Sequence, residues 1–150
     1  MNSYNGFEPG QRYRALRWLK GEVAAGRRHP PTVCEACGQT EGIIEAHSED
    51  YSDPFGDHIG AYGFCYVCHM MIHCRLKAPE AWKDYREAVR AGYRPPAQSA
   101  RNFGAVKALL AGKVPLWRDE YENEPRERTV LDEIDEGLLR RTNHGKEGAD

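Results

Sequence analysis

The fold is decided by two stretches, Cys-Glu-Ala-Cys at residues 34–37 and Cys-Tyr-Val-Cys-His-Met-Met-Ile-His-Cys at residues 65–74. A Cys-x-x-Cys turn directs two thiolates at one ion from about 2.3 Å, and two such turns complete a closed tetrahedral site. Two disulfides or four buried thiols are the alternative. Cys-x-x-Cys is an unusual structural disulfide, however, and no hydrophobic N-terminal segment directs the chain to an oxidising compartment. We therefore predict structural Zn²⁺ bound by Cys34, Cys37, Cys65 and Cys68.

Two histidines follow the second cysteine pair with helical spacing. If the segment after Cys68 is helical, His69 and His73 share one face and can chelate an ion, while Ile72 points into the core. Because four sulfurs satisfy the zinc, the two imidazoles are predicted to hold a second cation. In the alternative, one of them replaces a cysteine ligand or caps the zinc loop. Cys74 is predicted to be an inert thiol near the core.

The segment between the cysteine pairs predicts a β-hairpin. Ile43 and Ile44 indicate a short strand that ends near His47. The residues at 52–56, Ser-Asp-Pro-Phe-Gly, indicate a turn, and a second strand over residues 61–64 leads back to the cysteines. The predicted order is strand, loop, strand and helix, with one histidine on the first strand and two on the helix.

In this order, the stretch from Cys34 to His73 resembles the HNH, or ββα-metal (His-Me finger), nucleases, specifically the subgroup braced by a four-cysteine zinc site. Three motifs carry the resemblance: Cys-x-x-Cys-Gly, Ala-His-x-Glu-Asp-Tyr and Cys-x-x-Cys-His-x-x-x-His. It implies an α+β fold, in which a small ββα-metal core is stapled by the zinc site and flanked by α-helices. It also implies metal-dependent hydrolysis of DNA phosphodiester bonds. A neutral imidazole would take a proton from the attacking water, and Mg²⁺ or another divalent metal would stabilise the leaving 3′ oxygen.

Two positions depart from the family pattern. The family carries two adjacent polar residues where this chain has Ala46-His47-Ser48, and the loop asparagine is replaced in the neighbourhood of Gly60. In one register, His47 is the general base and Ala46 leaves a metal position empty. In the other, His47 is a metal ligand and Ser48 stands at the position of the base.

In the second register another residue must substitute for the base, and the candidates are His58 and Asp50. The resemblance thus implies catalytic roles for His47 and His58. It implies that the divalent cation is bound by four side chains: His47, His69, His73 and Asp50.

Charge is distributed unevenly along a chain whose net charge is −2. Residues 33–74 contain seven acidic residues and no lysine or arginine, which favours cations and repels DNA. Residues 1–32 contain six basic and two acidic residues, and residues 75–114 contain nine and three. A basic run can be a solvated helix face, but it also suits phosphate contacts. We predict DNA contacts by Arg12, Arg14, Arg17, Arg27, Arg28, Arg75 and Lys77.

Apolar periodicity predicts helices outside the zinc stretch. The first begins at Pro9, stops at Gly26 and buries Tyr13, Leu16, Leu19 and Val23. The second begins at Pro79 and buries Trp82, Tyr85 and Val89. A third is capped by Ser99 and buries Phe103, Val106 and Leu110. A last one, with a capping box, is predicted from Thr129, Leu131, Asp132, Ile134 and Leu138, and residues 142–150 are predicted to be disordered.

We divide the chain into a basic N-terminal arm and helix (1–32), a zinc-braced core with its following helices (33–114), and an acidic C-terminal helix and tail (115–150). A chain of 150 residues can bury one core without disulfides. It has no apolar run of about 18 residues, so neither a membrane span nor a membrane partner is expected. Five cysteines without a secretory signal predict a cytoplasmic protein.

Three functions remain open from the sequence. The first is an HNH-type endonuclease with DNA as partner. The second is a catalytically degenerate zinc module that binds nucleic acid or a protein. The third is an acidic inhibitor or DNA mimic. The acidic tail is either a solubilising end, an autoinhibitor over a basic cleft, or the contact for a protein partner.

Overall fold

The computed structural model describes residues 1–137, which form an α+β fold of five helices and one two-stranded antiparallel sheet. This confirms the predicted fold class. The elements in chain order are α1 (Pro9–Ala24), β1 (Ile44–His47), β2 (Tyr62–Cys65), α2 (Tyr66–Cys74), α3 (Pro79–Ala91), α4 (Gly104–Leu110) and α5 (Val130–Asp135). Leu138 and the tail predicted to be disordered lie outside the described residues. None of the helices within residues 1–137 has the length and apolar content required to cross a membrane.

The hairpin and α2 form a continuous unit, as predicted. Ile44 pairs with Cys65 at one end of the ladder, and His47 pairs with Tyr62 at the other end. Cys65 ends β2 and is also the N-cap of α2, so the chain passes directly from strand to helix. The helix runs back along the hairpin and packs against both strands. One end of the unit therefore carries cysteines, and the other receives side chains from both β1 and α2.

Two buried clusters hold the described chain together. The larger contains the four cysteines of the Cys-x-x-Cys pairs together with side chains from β2, α2, α3, α4 and α5. Leu131 and Ile134 of the acidic C-terminal segment belong to this same cluster. The smaller joins Leu19 of α1 to Tyr51 and Ile59 of the loop between the strands.

The buried face of α1 differs from the prediction. Arg12, Ala15 and Leu19 are buried, whereas Tyr13 is 58% exposed. The reason is that the N-terminal arm folds back over α1. The Arg12 guanidinium lies 5.3 Å from the ring centroid of Tyr4 and 5.1 Å from that of Tyr51, so a cation between two aromatic rings replaces the expected apolar stripe.

The later helices agree with the prediction at most positions. In α3, Trp82, Tyr85 and Val89 are buried as predicted, and Thr129 and Asp132 form the predicted capping box of α5. The start of α4 was predicted wrongly. Its first amide, from Gly104, donates to Asn102 Oδ1 at 2.9 Å, so the helix begins after Asn102 and not near Ser99. This shift buries Val106 and Leu109 and leaves Phe103 exposed.

Candidate metal centres

Four cysteine thiols converge at the start of α2. Their Sγ atoms all lie within 4.8 Å of one another, and Cys37 Sγ is 3.7 Å from Cys65 Sγ. A disulfide requires about 2.05 Å, whereas four sulfurs at about 2.3 Å from a tetrahedral ion lie about 3.8 Å apart. All four side chains are buried. The cluster could therefore hold a metal ion such as zinc.

The electrostatics of this cluster favour a cation. Hydrogen bonds from the other three thiols hold the pKa of Cys34 far below its ordinary value. The pKa of Cys65 is raised, chiefly by its hydrogen bond to Cys34, and burial raises the pKa of Cys68. Cys34 is thus the thiol whose ionised form these contacts favour. A divalent ion at the centre would allow the remaining thiols to ionise.

Residues from the C-terminal half support the first cysteine pair. The carbonyl of Cys37 accepts hydrogen bonds from Arg94 Nε at 3.0 Å and from Asn123 Nδ2 at 2.7 Å. Arg126 Nη2 donates to the carbonyl of Ala36 at 2.6 Å. The described part of the acidic segment therefore packs on this cysteine turn. It does not line the groove that contains the histidines.

Three imidazoles converge at the other end of the hairpin. His47 ends β1, and His69 and His73 project from one face of α2. Their ligand nitrogens lie within 4.8 Å of one another, and Nε2 of His69 is 3.2 Å from Nε2 of His73. Nitrogens bound to one cation at 2.0–2.1 Å are about 3.0–3.4 Å apart. The three side chains could therefore share one ion, separate from the cysteine cluster.

Two carboxylates fix the histidine rings. Glu49 Oε2 is 2.5 Å from His47 Nε2, and Glu45 Oε1 is 3.1 Å from His69 Nδ1. A carboxylate accepts the proton of the nitrogen it faces, so in a neutral ring the lone pair lies on the other nitrogen. For His47 that nitrogen is Nδ1, which is buried and has no hydrogen-bond partner among the described residues. A bound cation would give this buried nitrogen the partner that it otherwise lacks.

Burial keeps the imidazoles neutral. It lowers the pKa of His47 and His69 to about 4 and that of His73 to about 3. Burial alone would raise the pKa of Glu49, but its hydrogen bonds to His47 and Tyr4 and the nearby charge of Arg75 outweigh burial and lower the pKa to about 2. At neutral pH the site therefore presents three neutral rings beside an ionised carboxylate. Neutral imidazole is the form that binds metals.

Two residues proposed for the site lie elsewhere. The group of clustered ligand atoms contains neither His58 nor Asp50. His58 Nε2 is 2.7 Å from the carbonyl oxygen of Ser52, and Asp50 Oδ1 accepts from the amide of Ser52 at 2.9 Å. Ser48 Oγ accepts from the Gly60 amide at 2.6 Å. Within Ala46-His47-Ser48, His47 is thus the residue that joins the other two imidazoles.

The sequence did not reveal the residues that surround Glu49. The Tyr4 hydroxyl donates to Glu49 Oε2, Asn5 Nδ2 donates to Oε1 at 2.9 Å, and Arg75 Nη2 donates to Oε1 at 3.1 Å. Glu49 was visible only as part of the Glu-Asp-Tyr motif. The sequence indicates only an arm at residues 1–10, and no periodic pattern connects this arm to the hairpin. The two aromatic residues of the arm, Tyr4 and Phe7, were the available signal.

The basic residues proposed to contact DNA fall into two classes. Three are engaged within the protein: Arg12 stacks between rings, Arg28 Nη2 donates to the Ile59 carbonyl at 2.8 Å, and Arg75 pairs with Glu49. Their guanidinium groups already have partners within the protein. The other four, Arg14, Arg17, Arg27 and Lys77, are exposed, although Arg27 pairs with Glu22 at 2.5 Å and Arg14 donates to Gln11 on the surface.

A groove of about 890 Å³ opens onto the histidines. The three histidines lie along it together with Tyr4 of the arm, and its basic lining residues include Lys77 and Arg101. Lys77 is exposed, and Arg101 pairs with Glu45, the carboxylate that fixes His69. The groove therefore carries basic side chains beside the imidazoles, which suits an anionic ligand.

No protein-family model matches the chain, and comparisons with curated proteins and with solved structures gave no match. The functional interpretation therefore depends on the geometry and chemistry of the two clusters. Of these, the histidine cluster carries the information about reactivity, because His69 and His73 are half-buried along the groove, whereas all four clustered cysteines are buried.

Proposed function

We propose that this protein is an HNH-like, metal-dependent endonuclease that hydrolyses DNA phosphodiester bonds. The observation that carries the proposal is the meeting of three imidazoles, one buried and two half-buried, from the end of β1 and one face of α2, apart from the thiols. In this proposal Cys34, Cys37, Cys65 and Cys68 hold structural Zn²⁺, which staples a ββα-metal core. His47, His69 and His73 hold the second, divalent cation.

The donor set refines the expected identity of the second cation. Mg²⁺ prefers oxygen ligands, whereas imidazole suits zinc, nickel and similar borderline metals. The clustered ligand atoms in the described chain are three nitrogens without a carboxylate. We therefore expect Ni²⁺, Co²⁺ or Zn²⁺ to bind more tightly than Mg²⁺. When bound, such an ion polarises the scissile phosphate and stabilises the leaving oxygen.

The protein's own side chains would bind and orient the substrate. Lys77 is exposed on the groove and is placed to neutralise a phosphate near the imidazoles. Glu45 and Glu49 keep two rings in the orientation that a ligand requires. Because Ser48 replaces the family's base and His58 hydrogen-bonds elsewhere, proton removal from the attacking water is the weak step. We expect slow cleavage.

The same observation at Ser48 favours a second candidate, a catalytically degenerate module that binds nucleic acid or a protein partner. Its hydroxyl is buried and accepts from the Gly60 amide, so it is a poor proton acceptor. In this alternative the histidine site would serve stability alone. This module needs only the zinc at the cysteines, so a second bound ion together with metal-dependent cleavage would separate the enzyme from it.

A plasmid assay tests the proposal. Zinc-loaded protein would be incubated with supercoiled DNA and Ni²⁺, Co²⁺, Mn²⁺ or Mg²⁺, with EDTA as the metal-free control. We expect the wild type to nick the plasmid. The nicking rate should fall by at least about 100-fold in His47→Ala and in His73→Ala, because each change removes a ligand of the cation. The matched control is His29→Ala, since His29 is exposed and outside the cluster.

The results discriminate the candidates directly. Both variants should retain the cysteine-bound zinc and a folded circular dichroism spectrum. Undiminished nicking by His73→Ala would show that this centre is not the nuclease site. A wild-type protein that binds two ions and cuts with none of the metals would support the degenerate module.

A further inference from the structure

The N-terminal arm, residues 1–7, reaches the histidine site. It turns back on itself through paired backbone hydrogen bonds between Tyr4 and Phe7, at 3.0 and 2.9 Å. This turn presents Tyr4 and the following Asn5 to Glu49. Asn5 Nδ2 donates both to Oε1 and to the backbone carbonyl of Glu49, at 2.9 and 3.0 Å. The arm thus contacts the residue that holds His47.

Glu49 is a buried carboxylate that these contacts satisfy. Its side chain is 2% exposed, and a buried ionised carboxylate is costly unless hydrogen bonds and opposite charge surround it. Tyr4 and Asn5 supply donors from the arm, and Arg75 supplies the positive charge from the end of α2. These partners hold the Glu49 carboxylate in the orientation in which its Oε2 faces His47 Nε2.

Tyr4 also touches two of the three imidazoles. Its ring centroid is 4.6 Å from that of His73 and 5.7 Å from that of His47, and its hydroxyl lies 3.4 Å from His47 Nε2. Arg75 donates to the same hydroxyl, which ties it to α2. The arm therefore joins the strand ligand and a helix ligand on one side of the cluster.

We propose that the N-terminal arm is part of the histidine metal site, in which Glu49 is a positioning residue for His47 and Tyr4 and Asn5 hold Glu49. This inference rests on the proposed role of the three histidines as ligands. Its physical basis is that a carboxylate partner fixes the orientation and the tautomer of a ligating imidazole. Loss of such partners typically weakens metal affinity by about 10–100-fold.

Metal affinity tests this arm directly and independently of cleavage. Protein with zinc at the cysteines would be titrated with Co²⁺ by calorimetry and by its absorption spectrum. We expect Tyr4→Phe to weaken binding about 10-fold, and Tyr4→Phe/Asn5→Ala and Glu49→Gln to weaken it up to about 100-fold. The matched control is Tyr13→Phe, because Tyr13 is an exposed tyrosine of α1, and its affinity should equal that of the wild type.

A merely structural arm would give a different pattern. If the arm were only structural, the arm variants would unfold at a lower temperature without Co²⁺, but once folded they would bind Co²⁺ with the affinity of the wild type. Unchanged Co²⁺ affinity in both Tyr4→Phe and the double variant would overturn the inference, even if Glu49→Gln fails to fold. A wild-type protein that binds no second ion would instead overturn the proposed function.

Discussion

At the scale of single residues, adjacent side chains serve different sites. Cys68 contributes its thiol to the buried cluster, and the next residue, His69, contributes its ring to the imidazoles. Successive side chains of an α-helix are about 100° apart, so the two point in different directions from α2. Tyr85 from α3 reaches Cys68 with its hydroxyl at 3.0 Å. The position of a residue on α2 therefore decides which of the two clusters its side chain joins.

Replacement of Cys68 by serine should unfold the domain. Zinc binding by four thiolates is largely folding energy, of order 10 kcal/mol in isolated zinc fingers, and serine is a poor substitute ligand. The measurements are zinc content and thermal unfolding. Cys74→Ser is the matched control, because Cys74 is half-buried and outside the cluster. A cooperatively folded, zinc-free Cys68→Ser protein would refute a structural metal.

The histidine ligands could be predicted from sequence, but their partners could not. His69 and His73 follow a known spacing on a helix, and a hairpin places His47 opposite them. Glu49 and Tyr4 are 45 residues apart and belong to no periodic pattern. Their contact depends on how the arm folds over α1, which is set by long-range packing. Single-sequence patterns carry no information about such a contact.

At the scale of elements, the end of α3 is the tightest junction in the C-terminal half. Gly92 ends the helix with φ 119°, a conformation that glycine adopts most readily. The Asn123 amide donates to its carbonyl at 3.0 Å. A Cβ on Gly92 would lie 2.1 Å from the carbonyl oxygen of Asn123. The acidic segment can therefore cross α3 only where there is no side chain.

Gly92→Ala should destabilise the protein by about 2–4 kcal/mol, because it adds backbone strain and a clash with main-chain atoms. Gly21→Ala is the matched control. Gly21 lies in α1, and a Cβ there meets nothing within 4 Å, so alanine should stabilise the helix by about 0.5–1 kcal/mol. Chemical denaturation of both zinc-loaded proteins gives the comparison. Equal stabilities would contradict the described crossing.

Helix prediction succeeded where local signals agreed. In α3, the first-turn proline, the apolar stripe and the terminal glycine all indicate the same element, and its inward face is as predicted. In α1 the apolar period indicates that Tyr13 faces inward, but the arm brings Arg12 inward between Tyr4 and Tyr51. Aromatic rings from distant segments thus outweighed a weak local pattern.

At the scale of the whole molecule, the groove brings the basic flanks to the acidic centre. The two cysteine pairs and the hairpin lie in a stretch without lysine or arginine. Around the histidines, however, the groove is lined by Lys77 and Arg101 from the segment that follows. Folding thus places basic side chains from the flanking segment beside the acidic stretch, as the proposed DNA binding would require.

Salt dependence of DNA binding tests this surface. If Lys77 contacts a phosphate, Lys77→Ala should weaken binding to all sequences alike and reduce the slope of log K against log salt by about 0.9. Lys113→Ala is the matched control, because Lys113 is exposed and does not line the groove. Fluorescence anisotropy with a labelled duplex at several salt concentrations gives both slopes. Identical slopes in the two variants would exclude this path for the DNA.

The direct passage from β2 into α2 has a consequence for the order in which the two sites could form. Cys65, a member of the cysteine cluster, is also the residue at which α2 begins. The position of the cluster therefore determines where along and around the helix the imidazoles of α2 lie. An ion bound by the cysteines would fix the start of α2 and thereby position His69 and His73 of the second site. In the proposed function, filling of the cysteine site would therefore precede binding of a cation at the histidines.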